Sequence, residues 1–180
     1  MLLGYIDESY DEDDYWLTAL LVPDIDHASL SKRLREIAGK AATAHGLDTS
    51  AEFRGYDVFH GEREWKPLKA APRQRIGIYK AVLDAVAHAG CRVIVAGAVR
   101  AATEKRWPGY HPTEHAHRVA FFGLLTEVAA HCTAKEERAI LIADEVSGSS
   151  AILLRQDVRR DSVDAKVAAQ NRPAAAPVCA

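Results

Sequence analysis

The sequence lacks the features that direct a chain into a membrane or cross-link it. No apolar run approaches the roughly 18 residues of a membrane span, and no basic segment precedes the N-terminal apolar residues as in a signal peptide. The three cysteines, Cys91, Cys132 and Cys179, are odd in number, far apart and outside any Cys-x-x-Cys motif. These absences predict a cytoplasmic protein with free thiols and no membrane partner. Oligomeric state is not indicated.

Common motifs for nucleotide binding and hydrolysis are also missing. The chain has no Gly-x-x-x-x-Gly-Lys-Ser/Thr loop, no Gly-x-Gly-x-x-Gly fingerprint and no Gly-x-Ser-x-Gly elbow. His-Glu-x-x-His is absent, and Pro112 interrupts the spacing between His111 and His115. His115 and His117 are two residues apart and would point to different faces of a helix. A P-loop, a dinucleotide site, a serine hydrolase and a histidine-based zinc site are therefore not favoured.

The composition is typical of one globular domain. The 180 residues are 48% hydrophobic and 27% charged, which is enough apolar material for a core. The formal net charge is −2, so a nucleic-acid partner would have to bind a local basic patch. Such a patch lies between residues 54 and 80, where seven Lys and Arg side chains oppose three carboxylates.

The basic patch overlaps residues 47–71, which show no regular apolar period. Phe53, Tyr56, Phe59 and Trp65 interleave with the basic residues there. Basic side chains can contact phosphates while aromatic rings stack on bases, so this segment is a candidate nucleic-acid surface. A mobile loop with half-buried aromatic residues explains the pattern equally well. The candidate nucleic-acid-binding residues are Arg54, Trp65, Lys66, Lys69 and, from a second basic segment, Arg106.

Apolar runs predict four strands that share one sheet. They lie at residues 2–8, 15–23, 91–99 and 138–144. The first two should form an antiparallel hairpin around an acidic tip, with the first strand central. The helix before the third strand suggests a crossover with parallel pairing.

Helical spacing of apolar residues predicts the remaining elements. Asp26 is the expected N-cap of a first helix that ends near Gly46, and Pro72 should occupy the first position of a second. Residues 100–112 are expected to form a loop. Further helices are predicted at residues 113–132 and 149–169. The fold class is therefore α/β, a single domain over residues 1–169, with a disordered tail at 170–180.

Two of the predicted strands end in the same pair of acids. The apolar part of the first strand ends in Asp7 and Glu8, and that of the last ends in Asp144 and Glu145. Neighbouring strands would bring these carboxylates side by side on rigid backbone, which is the oxygen-rich arrangement that Mg²⁺ or Mn²⁺ requires. The alternative is that Asp7 only begins a turn.

A third acid would complete a metal cluster. Glu52 from the basic segment, together with Asp7 and Asp144, would form a three-carboxylate site, with Glu8 and Glu145 as second-choice ligands. Two Mg²⁺ or Mn²⁺ ions about 3.5–4 Å apart can bind both the attacking and the leaving oxygen of a phosphodiester. Asp7, Glu52 and Asp144 are therefore the predicted catalytic metal ligands.

These motifs resemble those of the domain of unknown function 3800 (DUF3800) family of bacteria and phages, which is grouped with ribonuclease H-like folds. Its members open with Tyr-Ile-Asp-Glu-Ser-Gly, carry Glu-x-x-Gly before a tryptophan, and have a later strand ending in Asp-Glu. The corresponding residues are Tyr5–Ser9, Glu52–Gly55 with Trp65, and Asp144-Glu145. Tyr10 replaces the family glycine, and the resemblance covers roughly residues 3–150.

The resemblance implies a ribonuclease H-like mixed sheet flanked by helices and a metal-dependent nuclease acting on RNA or DNA. Family members usually continue to another aspartate near the C-terminus, whereas this sequence ends in a Pro/Ala tail. A C-terminal truncation is therefore expected, with Asp157, Asp161 or Asp164 as a substitute ligand. The alternative function is an inactive ribonuclease H-like module, associated with a phage or mobile element, that binds nucleic acid or protein.

Overall fold

The computed structural model describes residues 1–48, 51, 53–106 and 112–143, with the backbone alone for 112–114. This part of the chain forms one four-stranded mixed sheet with helices between its strands, which confirms the α/β class. The strands are β1 (Leu2–Tyr10), β2 (Asp14–Pro23), β3 (Arg92–Val99) and β4 (Ala139–Ala143). The helices are α1 (Asp24–His45), α2 (Gly55–His60), a 3₁₀ helix (Arg63–Leu68), α3 (Pro72–His88), α4 (Arg100–Arg106) and α5 (Pro112–Ala134).

The four strands form one sheet in the order β3-β2-β1-β4. The predicted hairpin is confirmed, because β1 and β2 are antiparallel from Leu2 opposite Pro23 to Tyr10 opposite Tyr15. The carboxylate of Asp11 closes its tip by accepting the backbone N–H groups of Asp13 and Asp14 at 2.9 and 2.8 Å. Strand β1 is an interior strand, as predicted.

The prediction of parallel pairing for the third strand was wrong. Strand β3 pairs antiparallel with β2, with Val95 opposite Thr18. The parallel pair is β1 with β4, from Leu2 opposite Ala139 to Ile6 opposite Ala143. Strand β3 runs in the direction of β1 but lies on the far side of β2, because the helices from α1 to α3 return the chain to that edge. A helix between two strands predicts that the chain crosses over the sheet, but it does not predict at which edge of the sheet the next strand is added.

The sheet separates two apolar layers. Alternate residues of β1 and β2, such as Ile6, Tyr15 and Leu21, pack against Leu124 and other residues of α5. On the other face, Val22 packs with α1 and α3. Successive residues of a strand point to opposite faces, so this division determines which helix each strand side chain meets.

Most predicted helix boundaries are confirmed, and two predictions need correction. Gly46 ends α1 in the left-handed conformation at φ +66°, and Pro72 begins α3. Helix α1 starts at Asp24 rather than after Asp26, because Pro23 is already its N-cap. Residues 100–106, predicted as loop, form α4, which is too short to show a helical period. The helix predicted at residues 149–169 and the tail 170–180 lie outside the described residues.

Candidate functional site

The predicted metal ligands are only partly within the described chain. Asp7 lies on β1 opposite Thr18, is exposed, and accepts the backbone N–H of Glu8 at 2.9 Å. Glu52, Asp144 and Glu145 lie outside the described residues. Among the residues the structure describes, no group of three or more His, Cys, Asp or Glu side chains could hold a metal ion. The three-carboxylate cluster therefore stays a prediction.

The strand register bears directly on Asp7. Parallel strands β1 and β4 have their C-terminal ends at the same edge of the sheet. Their last paired residues are Ile6 and Ala143, and the next residues in the sequence are Asp7 and Asp144. Two acids thus follow equivalent positions of neighbouring parallel strands.

Strand alternation separates Asp7 from Glu8. Asp7 is on the face of β1 that carries Tyr5, whose hydroxyl is 2.8 Å from Nε2 of His27 on α1. Glu8 is on the opposite face, beneath α5. Adjacent residues of an extended strand project to opposite faces, so Glu8 does not share the sheet face of Asp7, and its second-choice assignment as a ligand stays a prediction.

Glu8 instead belongs to a hydrogen-bonded chain that the sequence did not reveal. The hydroxyl of Tyr15 donates to Oε2 of Glu8 at 2.7 Å, and the hydroxyl oxygen of Tyr15 is also 2.7 Å from Nδ1 of His117. Tyr15 is only 2% exposed, and its ring meets His117 edge-on with centroids 5.4 Å apart. Because the Tyr15 proton is directed to Glu8, Nδ1 of His117 must be the donor to the Tyr15 oxygen.

This assignment leaves Nε2 of His117 without a proton. That nitrogen is buried and has no hydrogen-bond partner among the described residues. Burial lowers the pKa of His117, although the charge of Glu8 opposes the shift. Burial also raises the pKa of Tyr15 well above its ordinary value, and the hydrogen bond and charge of Glu8 add to that increase. The neutral histidine and the protonated tyrosine are therefore the favoured forms at neutral pH.

The hydrogen-bonded chain continues as a ring stack toward the hairpin tip. Tyr10 stacks on Tyr15 with centroids 5.6 Å apart and nearly parallel planes. The Arg100 guanidinium lies 5.5 Å from the centre of the Tyr10 ring, a cation–π distance. The backbone N–H of Arg100 donates to the carbonyl of Asp13 at 2.9 Å, which attaches the start of α4 to the hairpin.

The predicted nucleic-acid-binding residues fall into two groups. Trp65 is 1% exposed and packs with Val58 and Leu68 in a core cluster. Its selection as a base-stacking residue was wrong for this structure, since the buried indole offers no face to a base. The basic candidates Arg54, Lys66, Lys69 and Arg106 are exposed.

An open cleft of about 590 Å³ lies between β3 and α5. Arg92, Glu127 and His131 are the ionisable side chains that line it. The cleft is on the α5 side of the sheet, opposite to the face that carries Asp7. It is therefore separate from the predicted metal site.

Comparisons of the chain with protein-family models, curated proteins and solved structures found no match. None of the described helices is long and apolar enough to cross a bilayer. The ribonuclease H-like assignment therefore rests on the sequence motifs alone.

Proposed function

We propose that the protein is a Mg²⁺- or Mn²⁺-dependent nuclease whose metal site forms where β1 and β4 end. The observation that carries this proposal is the parallel register of these strands, which stops one residue before Asp7 and Asp144. Parallel neighbours keep equivalent residues about one strand spacing apart, roughly 4.8 Å. Two carboxylates at that separation can share one hard divalent ion.

The face occupied by Asp7 supports the addition of Glu52. Asp7 shares its sheet face with Tyr5, which is hydrogen-bonded to α1. Glu52 lies between α1 and α2 in the sequence, and α1 packs on that same face. A third carboxylate from this segment would therefore approach Asp7 from the correct side of the sheet.

The chemistry assigned to these residues is that of a hydrolytic metal site. Asp7, Asp144 and Glu52 would hold the ion, which when bound would supply phosphate polarisation and water activation. Asp7 is held by rigid β1 backbone, and its Oδ1 is oriented by the N–H of Glu8. Its other carboxylate oxygen remains available to a ligand. Asp144 and Glu52 would supply the remaining protein oxygens.

The second candidate function is a non-catalytic binding module with the same fold. It is supported by the exposed basic side chains of Lys66 and Lys69, which could contact a partner without any metal ion. In this alternative, Asp7 has a local structural role, in which its carboxylate accepts the backbone N–H of Glu8.

Calorimetric titration with Mn²⁺ separates the two functions. The wild type should bind Mn²⁺ at up to millimolar concentration, and Asp7→Asn and Asp144→Asn should each weaken binding by at least about tenfold. Asp13→Asn is the matched control, because Asp13 is an exposed acid at the hairpin tip. A parallel screen should test cleavage of single- and double-stranded RNA and DNA with and without Mn²⁺. Absence of both metal binding and cleavage would establish the binding-module function instead.

A further inference from the structure

Helix α2 displays three neighbouring rings on its outer side. Tyr56 is 70% exposed and Phe59 is 59% exposed. The imidazole of His60 lies between them, with ring centroids 4.4 Å from Tyr56 and 5.1 Å from Phe59. Their positions at i, i+3 and i+4 place all three on one face of the helix. Contiguous exposed apolar surface of this kind marks an interaction site more often than chance exposure does.

The rings are carried by a rigid element. Val58 of α2 is buried with Trp65 and Leu68 of the 3₁₀ helix. The guanidinium of Arg75 on α3 donates to the carbonyl of Phe59, which joins α2 to α3. Ordering a loop around a ligand costs conformational entropy, so a platform that is already fixed binds at lower cost.

The segment that carries the rings has an excess of positive charge. Residues 54–75 contain six Lys and Arg residues and three Asp and Glu residues, in a chain whose net charge is −2. Two of the acids are already neutralised, Asp57 by Arg63 at 3.6 Å and Glu62 by Lys69 at 2.8 Å. The side chain of Arg63 remains 61% exposed despite its ion pair.

Two further cations are available on this surface. Lys66 and Arg73 are exposed and form no ion pair within the described part of the chain. The hydrogen bond and charge of Lys69 hold the pKa of Glu62 below its ordinary value, and the charges of Lys66 and His60 add to that effect. Arg73 lies in the first turn of α3, the helix packed against α2.

We propose that this surface, comprising Tyr56, Phe59, His60, Lys66 and Arg73, binds single-stranded nucleic acid. Bases stack on the exposed rings of Tyr56 and Phe59, and phosphates contact Lys66 and Arg73. A single strand is specified because only unpaired bases expose the π-faces that such rings can reach. The inference rests on the proposed function, since it names the substrate class that the Asp7 site would act on, and Gly55 begins α2 three residues after Glu52.

The test measures binding without catalysis. Fluorescence anisotropy with a fluorescein-labelled U₁₂ RNA and a dT₁₂ DNA, in EDTA at low salt, should show saturable binding, and a duplex of the same length should bind at least about tenfold more weakly. Tyr56→Leu/Phe59→Leu should weaken single-strand binding by about tenfold or more, from the usual contribution of stacked rings. The matched variant Tyr56→Phe/Phe59→Tyr keeps both rings and should bind like the wild type.

The charged residues have their own test. Lys66→Gln/Arg73→Gln should reduce the slope of log affinity against log salt by roughly 1.4, at about 0.7 for each phosphate contact to a single strand. Lys32→Gln/Arg35→Gln removes two exposed charges from α1 and should leave the slope unchanged. Thermal melts of all variants should match the wild type, because every substituted side chain is exposed.

Three results would overturn the inference. The first is that neither oligonucleotide binds, and the second is that the Leu and the aromatic double variants bind with equal affinity. The third is that polyglutamate at matched charge fully displaces the labelled oligonucleotide, which would indicate an acidic protein as the partner. The binding assay contains EDTA, so it is independent of cleavage. If the protein binds single strands but shows no Mn²⁺-dependent cleavage, the binding surface is supported and the nuclease function is contradicted. If the protein cleaves nucleic acid but Tyr56→Leu/Phe59→Leu binds like the wild type, the nuclease function is supported and the binding surface is contradicted.

Discussion

Tyr15 and His117 are separated by 102 positions in the sequence, yet the Tyr15 hydroxyl lies 2.7 Å from Nδ1 of His117. The contact joins the β1–β2 hairpin to the N-terminal half of α5. It is also the point at which a buried oxygen serves two partners, since the same hydroxyl donates to Glu8. Removal of the Tyr15 hydroxyl should therefore affect Glu8 and His117 as well as Tyr15.

Tyr15→Phe tests this junction. The substitution leaves the Glu8 carboxylate and Nδ1 of His117 without their shared partner, so we expect a loss of about 1–3 kcal/mol in unfolding free energy, the usual cost of an unsatisfied buried group. Urea unfolding measures it. Tyr10→Phe is the control: its exposed ring keeps its stacking, and its effect should stay within about 0.5 kcal/mol. Equal effects of the two substitutions would show that the Tyr15 hydroxyl contributes nothing.

His117 should make stability depend on pH. Burial lowers its folded-state pKa below the ordinary value of 6.5, so the unfolded chain takes up the proton first as the pH falls. The stabilisation is present above pH 6.5 and is lost as pH falls from there through the folded pKa. His117→Asn retains a donor to Tyr15 but does not titrate, so its unfolding free energy should decline less between pH 7.5 and 5. Parallel declines in the two proteins would contradict the role of His117.

Divalent ions should stabilise the folded protein through Asp7. An ion that binds only the native state at 100 times its dissociation constant adds about 2.7 kcal/mol. For a domain of this size that raises Tm by roughly 5–10 °C. Asp7→Asn should lose most of that gain and, in EDTA, should be no less stable than the wild type, because one repelling charge is removed. Melts in EDTA and in Mn²⁺ measure both effects. If Asp7 only begins a turn, Asp7→Asn should lower the unfolding free energy by about 0.5–2 kcal/mol, and Mn²⁺ should not change its Tm.

Trp65 should behave as a core residue. Trp65→Ala removes a large side chain that is 1% exposed, and we expect a loss of about 3–5 kcal/mol in unfolding free energy. Tyr56→Ala, on the neighbouring helix but 70% exposed, should change it by less than about 0.5 kcal/mol. Denaturant unfolding of both variants gives the comparison. If Trp65→Ala changes the unfolding free energy only slightly, the indole lies at the surface and is again a candidate for base stacking.

The sequence predicted the elements better than their arrangement. Apolar runs located β1 to β4, and Gly46 and Pro72 marked helix boundaries, because these signals are local. The antiparallel pairing of β3 with β2 depends on which sheet edge the chain rejoins, and no local pattern encodes that choice. The interior position of Trp65 depends on contacts with Val58 and Leu68 that form only when two short helices pack together. The hydrogen bonds that link Glu8, Tyr15 and His117 likewise could not be predicted from the sequence, because the three residues lie on three different elements.

The parallel pairing of β1 with β4 has a consequence for synthesis. Leu2 to Ile6 leave the ribosome before their partners Ala139 to Ala143, which follow more than a hundred residues later. At typical elongation rates of about 5–20 residues per second, that interval is on the order of 10 s. During this time one edge of β1 carries free backbone donors and acceptors next to apolar side chains, a template for pairing with another nascent chain. The early β1–β2 hairpin covers only the opposite edge of β1, so this edge stays open until β4 emerges and the sheet is completed late.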